Sequence, residues 1–94
     1  FWDKMRGDDI KSQRIADALV NWAWGSGTST PSKAIQRIVG ANPDGVIGNE
    51  TVKAINAGNE EEIYQKLKKA NLDFFDSVII NYIYYIIINF IIFF

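Results

Sequence analysis

The sequence predicts an all-α domain of about four helices. Two observations carry that expectation. Apolar residues recur at three- and four-residue spacing through four separate stretches. Between those stretches sit helix-stop and helix-start residues: Gly25 and Gly27, then Thr30-Pro31; Gly40, then Gly48-Asn49; and Gly58-Asn59.

The first stretch is "DDIKSQRIADALVNWAWGSG". Asp8 or Asp9 is the expected cap. Ile15, Ala16, Leu19, Val20 and Ala23 form one apolar face, and Gly25 and Gly27 end the helix. The second is "TPSKAIQRIVG". Thr30 is the expected N-cap and Pro31 the first helical residue, where a missing N–H costs nothing. Ala34, Ile35, Ile38 and Val39 point inward and Gly40 stops the run. The third, "NETVKAINAG", starts from Gly48 or Asn49, buries Val52 and Ile55, and ends at Gly58. The fourth starts at Asn59. Glu60, Glu61 and Glu62 lead and Lys66, Lys68 and Lys69 follow, an order that suits the helix dipole and allows a Glu62–Lys66 pair. Ile63, Leu67, Ala70, Phe74 and Val78 are its expected buried stripe.

Between the second and third helices lies "NPDGVIGNE". Pro43 fixes its φ, and Asp44-Gly45 supplies a tight reversal. Ile47 is expected to plug the core. Gly48 allows a second bend before the next helix. The turn residues Asp44, Gly45, Gly48 and Thr51 are therefore read as structural. The loop lacks the alternating oxygen ligands of a calcium-binding hairpin, so no metal is expected at Asp44.

Composition removes several chemistries. There is no Cys and no His among 94 residues, which excludes disulfides, thiolate metal sites and the commonest general base. Net charge is −1 with both signs interleaved, so no nucleic-acid partner is expected. No cofactor is implied. A glycosidase needs two carboxylates about 5–10 Å apart. Glu60–Glu62 read as a helix start and Asp17 as a surface residue, so no catalytic residue is assigned. The opening "FWDKMRGDD" places large apolar residues at a bare end, which suggests a chain that begins inside a longer protein.

The order of residues in "IQRIVGANPDGVIGNETVKAIN" resembles peptidoglycan-binding modules, through Gln36, Asp44, Gly45, Gly48 and Thr51. With "VNWAWGSG" and the opening "FW", residues 1–79 resemble the C-terminal, predicted peptidoglycan-binding half of glycoside hydrolase family 108 N-acetylmuramidases. These are lysozyme-like cell-wall hydrolases of bacteria and phages, some labelled secretion activators. The resemblance implies the C-terminal half of a lysozyme-like fold. It implies a peptidoglycan glycan strand as partner, with a separate N-terminal catalytic half. The place of action would be the cell wall, reached from a bacterial envelope or encoded by a phage.

Three departures stand out. The family's acid is a Glu in a Glu-Gly-Gly type motif, and no Glu-Gly occurs here. Asn21 stands where many relatives carry Asp. The family continues with a polar segment containing Gly-Trp and Arg, where this chain has an Ile-rich tail. Whether the chain takes part in catalysis is thus left open. A stand-alone peptidoglycan-binding module and a helical protein-interaction domain are the other readings. A Glu-Gly-Gly motif about a hundred residues upstream would favour the enzyme.

Trp22 and Trp24, two apart on a helix, point in different directions. One is expected in the core and the other as a flat face for a sugar ring. Asn21 and Ser26, with Thr28, are polar neighbours able to bond hydroxyl or N-acetyl groups, though capping suits Ser26 and Thr28.

Residues 80–94 form a separate tail. From Ile79 the chain reads "IINYIYYIIINFIIFF", only Ile, Asn, Tyr and Phe. An aberrant terminus is the first reading, since all four types can be written in A/T-only codons; the absence of Lys and Leu counts against it. A helical extension packed on the domain or a neighbouring chain comes second. A membrane or strand role is weighed as unlikely, because 16 residues fall short of the ~20 a spanning helix needs and a helical domain offers no sheet to receive a strand. No part in glycan recognition is expected of it.

Overall fold

The computed structural model describes residues 1–93, with side-chain surroundings through Ile91. Among these residues the protein is all-helical, with four α-helices and no strands. A 3-10 turn, Gly7–Asp9, precedes α1 (Gln13–Ser26), α2 (Ser29–Val39), α3 (Asn49–Ala57) and α4 (Glu60–Phe93).

The N-terminal segment is folded against the helices. Met5 is fully buried, and Trp2 packs on the core and donates from Nε1 to Asp8 Oδ1 at 2.9 Å. Gly7 lies under the Trp2 indole so closely that a Cβ there would fall 2.3 Å from a ring carbon. Arg6 adopts a left-handed conformation, φ 53°, held by its bonds to Asp9 at 2.8 Å and to Asn49 at 2.6 Å. Asn56 of α3 clamps the same segment. Its Nδ2 donates to the Asp9 carbonyl and its Oδ1 accepts from Lys11 N, both at 2.9 Å.

Two helix starts differ from the sequence expectation. Asp8 and Asp9 do not cap α1; they occupy the 3-10 turn. Ile10 follows in extended conformation with its side chain 5 % exposed. Burying Ile10 breaks the helical path, and the helix begins afresh at Ser12, whose Oγ accepts from Ile15 N at 3.3 Å. Helix α2 begins two residues before Pro31, with Thr28 as N-cap. Pro31 then sits in the first turn, where backbone N–H groups have no helical acceptor in any case. Helix α1 runs through Gly25 and stops only at Gly27, one of the two glycines expected to end it. The remaining starts and stops agree. Gly48 caps α3, Asn59 Oδ1 accepts from Glu62 N at 2.9 Å, and α2 ends at Gly40.

The core joins all four helices. Ile15, Ala16, Leu19 and Trp22 of α1 meet Ile35 of α2, Ile47 of the turn, Val52 and Ile55 of α3, and Ile63 and Leu67 of α4. Each large aliphatic side chain fully removed from water contributes about 1.5–3 kcal/mol. Contacts between α1 and α4 advance together, from Arg14–Glu61 through Trp22–Phe74 to Gly25–Phe75, so the two helices run parallel. Helix α1 stops at Ser26, opposite Phe75. Helix α4 continues for another 18 residues, and none of its described side chains there joins the core. That is why Val78, expected in the buried stripe, is 48 % exposed.

Residues 80–93 are therefore about the last four turns of α4, and the molecule measures 56 × 23 × 22 Å because of them. The sequence showed no helical period there, and none is required where no neighbour selects one face. The expectation of an extension packed on the domain is not met: no described residue beyond Phe75 joins the core or packs against it.

Candidate functional site

The central turn is organised by Gln36, which is fully buried. Its Nε2 reaches Asp44 Oδ1 at 2.9 Å, the Val46 carbonyl at 2.8 Å and Thr51 Oγ1 at 3.2 Å. Its Oε1 accepts from Gly45 N at 3.0 Å. One side chain on α2 thus fixes both ends of the turn and the first residues of α3. Three acceptors share two amide hydrogens, so one of those bonds is bifurcated. Asp44 Oδ1 also accepts from Val46 N at 3.0 Å. That backbone N–H, and then the Gln36 amide, hold the Asp44 carboxyl below the usual carboxylate range.

Gly45 has φ 84°, a conformation that favours glycine. Ile47 is 3 % exposed and plugs the core, whereas its neighbour Val46 faces water. Gly48 has φ −99° and open space around its Cα, so its conformation does not demand glycine. Thr51 is buried and serves as an acceptor for Gln36. This is a structural corner; its chemistry is spent on internal bonds.

The surface at the end of α1 is different. Trp22 is 2 % exposed, packed on Phe74 with ring centroids 5.8 Å apart. It offers no face to a ligand, so its assignment as a glycan contact gives way to a core role. Ser26 is engaged too: its Oγ donates to the Trp22 carbonyl at 3.1 Å. Trp24 is 74 % exposed, and Phe1 stands edge-on to it at 5.0 Å. Asn21 is exposed three residues earlier, hence on the same side of the helix.

Asn21 also lines a groove between α1 and α4, with a cavity volume of about 380 Å³. Arg14, Asp17, Tyr64, Lys68 and Asn71 complete its polar wall. The Arg14 guanidinium lies 4.2 Å from the Tyr64 ring centroid and bonds Glu61 at 2.6 Å. That bond raises the pKa of Arg14. The Gln65 amide first, and Arg14 next, lower that of Glu61. Asn71 Oδ1 is buried and has no hydrogen-bond partner in the chain. An unsatisfied buried acceptor costs free energy that a ligand's donor can recover. Sequence reading missed this wall because Asn71, Lys68 and Tyr64 sit on another helix. Nothing in their local pattern links them to Asn21. Sequence placed Phe1 only at a bare end; in the fold it packs on Trp24.

This geometry can now be set beside known proteins. No protein-family model matches the chain, and no curated protein matches it. Among solved structures it is similar to SagA of Brucella abortus, at 32% identity and a TM-score of 0.74, over 81% of this chain and 43% of that one. The likeness supports a SagA-like family. The chain spans less than half the length of the SagA chain it matches.

Proposed function

We propose that this chain binds the glycan strands of peptidoglycan, as the cleft-forming C-terminal part of a lysozyme-type muramidase. The observation that carries the reading is the exposed Trp24 indole beside Asn21 and the α1/α4 groove. Sugars lay their C–H faces on flat aromatic rings, and carboxamides supply complementary donors and acceptors for hydroxyl and N-acetyl groups. The likeness to SagA supports a cell-wall or secretion-activator context. The acid that cleaves the bond between N-acetylmuramic acid and N-acetylglucosamine would come from outside these 94 residues.

The test is co-sedimentation of the full chain with purified cell-wall sacculi. The chain is expected to bind, and Trp24→Ala to weaken binding roughly two- to tenfold, the range of one aromatic contact. Its melting temperature should not change, because the indole is outside the core. Unaltered binding by Trp24→Ala would remove the proposed face, and no binding at all would remove the function. The chain alone is expected to leave the turbidity of a wall suspension constant. Clear lysis would overturn the division of labour.

A further inference from the structure

From Ser77 to Phe94 the chain carries no charged residue, and the structure makes Ser77 to Phe93 one unbroken helix. We propose that this end of α4 inserts across the hydrocarbon core of a lipid bilayer and anchors the domain to it.

Four observations favour lipid as the occupant. The first is exposure. Val78, Ile79, Ile80, Ile83, Ile86 and Ile87 are 48–64 % exposed, though they lie on different sides of the helix. A protein partner selects a stripe about 100° wide with a polar face behind it; a helix apolar all round is matched by a solvent that surrounds it. The second is length. Seventeen helical residues rise about 25 Å, close to the ~30 Å hydrocarbon thickness and within the observed range for spans. Counting from Ile79 alone makes the segment look shorter; the helix brings Ser77 and Val78 into the same rod.

The third is the treatment of polar groups. The backbone N–H groups of the rod, and its C=O groups short of the last turn, are positioned to pair within the helix, as a bilayer requires; the last turn would reach the far interface. Asn89 returns its Nδ2 to the Tyr85 carbonyl at 2.8 Å, which satisfies a donor that would otherwise enter lipid bare. Tyr82, Tyr84 and Tyr85 lie about 7–12 Å past Ser77. Their long side chains can carry each hydroxyl back toward the interface. The fourth is position. A long apolar helix in a protein core is buried by its neighbours, whereas none of this apolar stretch is buried in the fold. Asp73 and Asp76 are exposed on the turn before Ser77 and mark where the water side begins.

The full 94-residue chain should be mixed with vesicles of phosphatidylcholine and phosphatidylglycerol and floated on a density gradient. The chain is expected in the vesicle fraction, and to remain there in high salt. Ile86→Lys, near the middle of the rod, should lower the partition on the order of a hundredfold, the cost of one lysine at the centre of a span. Its melting curve should match the parent's, since residue 86 touches no core side chain. Tyr85→Trp on a background with Trp2, Trp22 and Trp24 each replaced by Phe gives the depth. Its fluorescence should be quenched most by lipids brominated deep in the acyl chain. A chain that stays at the bottom of the gradient overturns the proposal. So does one that forms salt-stable dimers through the tail without floating, because the occupant is then another copy. A residue-85 probe at headgroup depth also overturns it, because the helix then lies on the surface.

Discussion

Gln36 is the residue on which the turn depends, and its importance was only half visible in sequence. As one of a set of motif residues it could be pointed to, but a lone Gln on a helix says nothing about burial. The fold shows why the position requires a side chain with both a donor and an acceptor. Leucine would fill the space and strand Gly45 N–H, the Val46 carbonyl and Asp44. Gln36→Leu is expected to destabilise by about 2–4 kcal/mol, from the loss of several buried bonds at about 1–2 kcal/mol each. For a domain this size that is a fall in melting temperature of ~10 °C or more. Gln36→Glu should be no better, because its carboxylate would face Asp44 Oδ1 and the Val46 carbonyl. Gly45→Val tests the other half of the corner. At φ 84° a β-branched residue is strained, at a cost of roughly 1–3 kcal/mol. A Cβ would also meet Ser29 Oγ at 2.9 Å. Thermal melts read both, and an unmoved midpoint for either would show that the corner is not held as described. Trp22 and Trp24 show how far two adjacent aromatics can be told apart in sequence. Their spacing fixed that they diverge; which one was core depended on Phe74, fifty residues away. Acrylamide should therefore quench Trp24 readily and Trp22 poorly in single-Trp variants with Trp2 replaced. Equal, full protection of both would leave the aromatic face without support.

At the level of elements, boundaries set by local chemistry were legible and boundaries set by burial were not. Gly40, Gly48, Gly58 and Asn59 act where sequence placed them, because each answers to its own backbone. The start of α1 moved from Asp8 or Asp9 to Ser12 because Ile10 is needed in the core, a demand that no capping rule contains. The turn between α2 and α3 also carries an acid sensitivity. Asp44 has its pKa lowered in the folded state, chiefly by Val46 N–H and then by Gln36. A carboxyl whose folded pKa lies below its unfolded value adds stability above the unfolded pKa, about 4, and loses it as pH falls through the folded value. Glu62, bonded to Lys66 at 2.8 Å, acts in the same direction on α4. The domain should therefore lose stability below about pH 4. Asp44→Asn keeps an oxygen for Val46 N–H but removes the charge. Its melting temperature should lie below the parent's at neutral pH, and the gap should narrow as the pH drops through that window. A constant gap across pH 2–7, the range about the carboxylate values, would mean the ionised form has no special role.

The whole molecule is two parts with different rules. The chain up to Phe75 was readable because helices that pack on one another write their core as a periodic stripe, and the helix count and most of the buried residues followed from it. The groove between α1 and α4 was not readable, since it joins Asn21 on α1 to Asn71 on α4 across a gap no local pattern spans. The tail resisted for the opposite reason: apolar on all sides, it has no stripe to read, and only the structure shows that it continues α4. This division predicts the effect of cutting the chain. Within residues 80–94, no described side chain adds to the core, whose last contributors are Phe74 and Phe75. Removing them should leave the melting temperature within about 2 °C of the parent, a change under roughly half a kcal/mol for so small a domain. Solubility should rise, because a row of exposed Ile, Tyr and Phe side chains is lost. Binding to sacculi should persist, while flotation with vesicles should vanish. A large fall in melting temperature on truncation would mean that the rod folds back on the domain. The apolar surface would then have a partner within the chain itself.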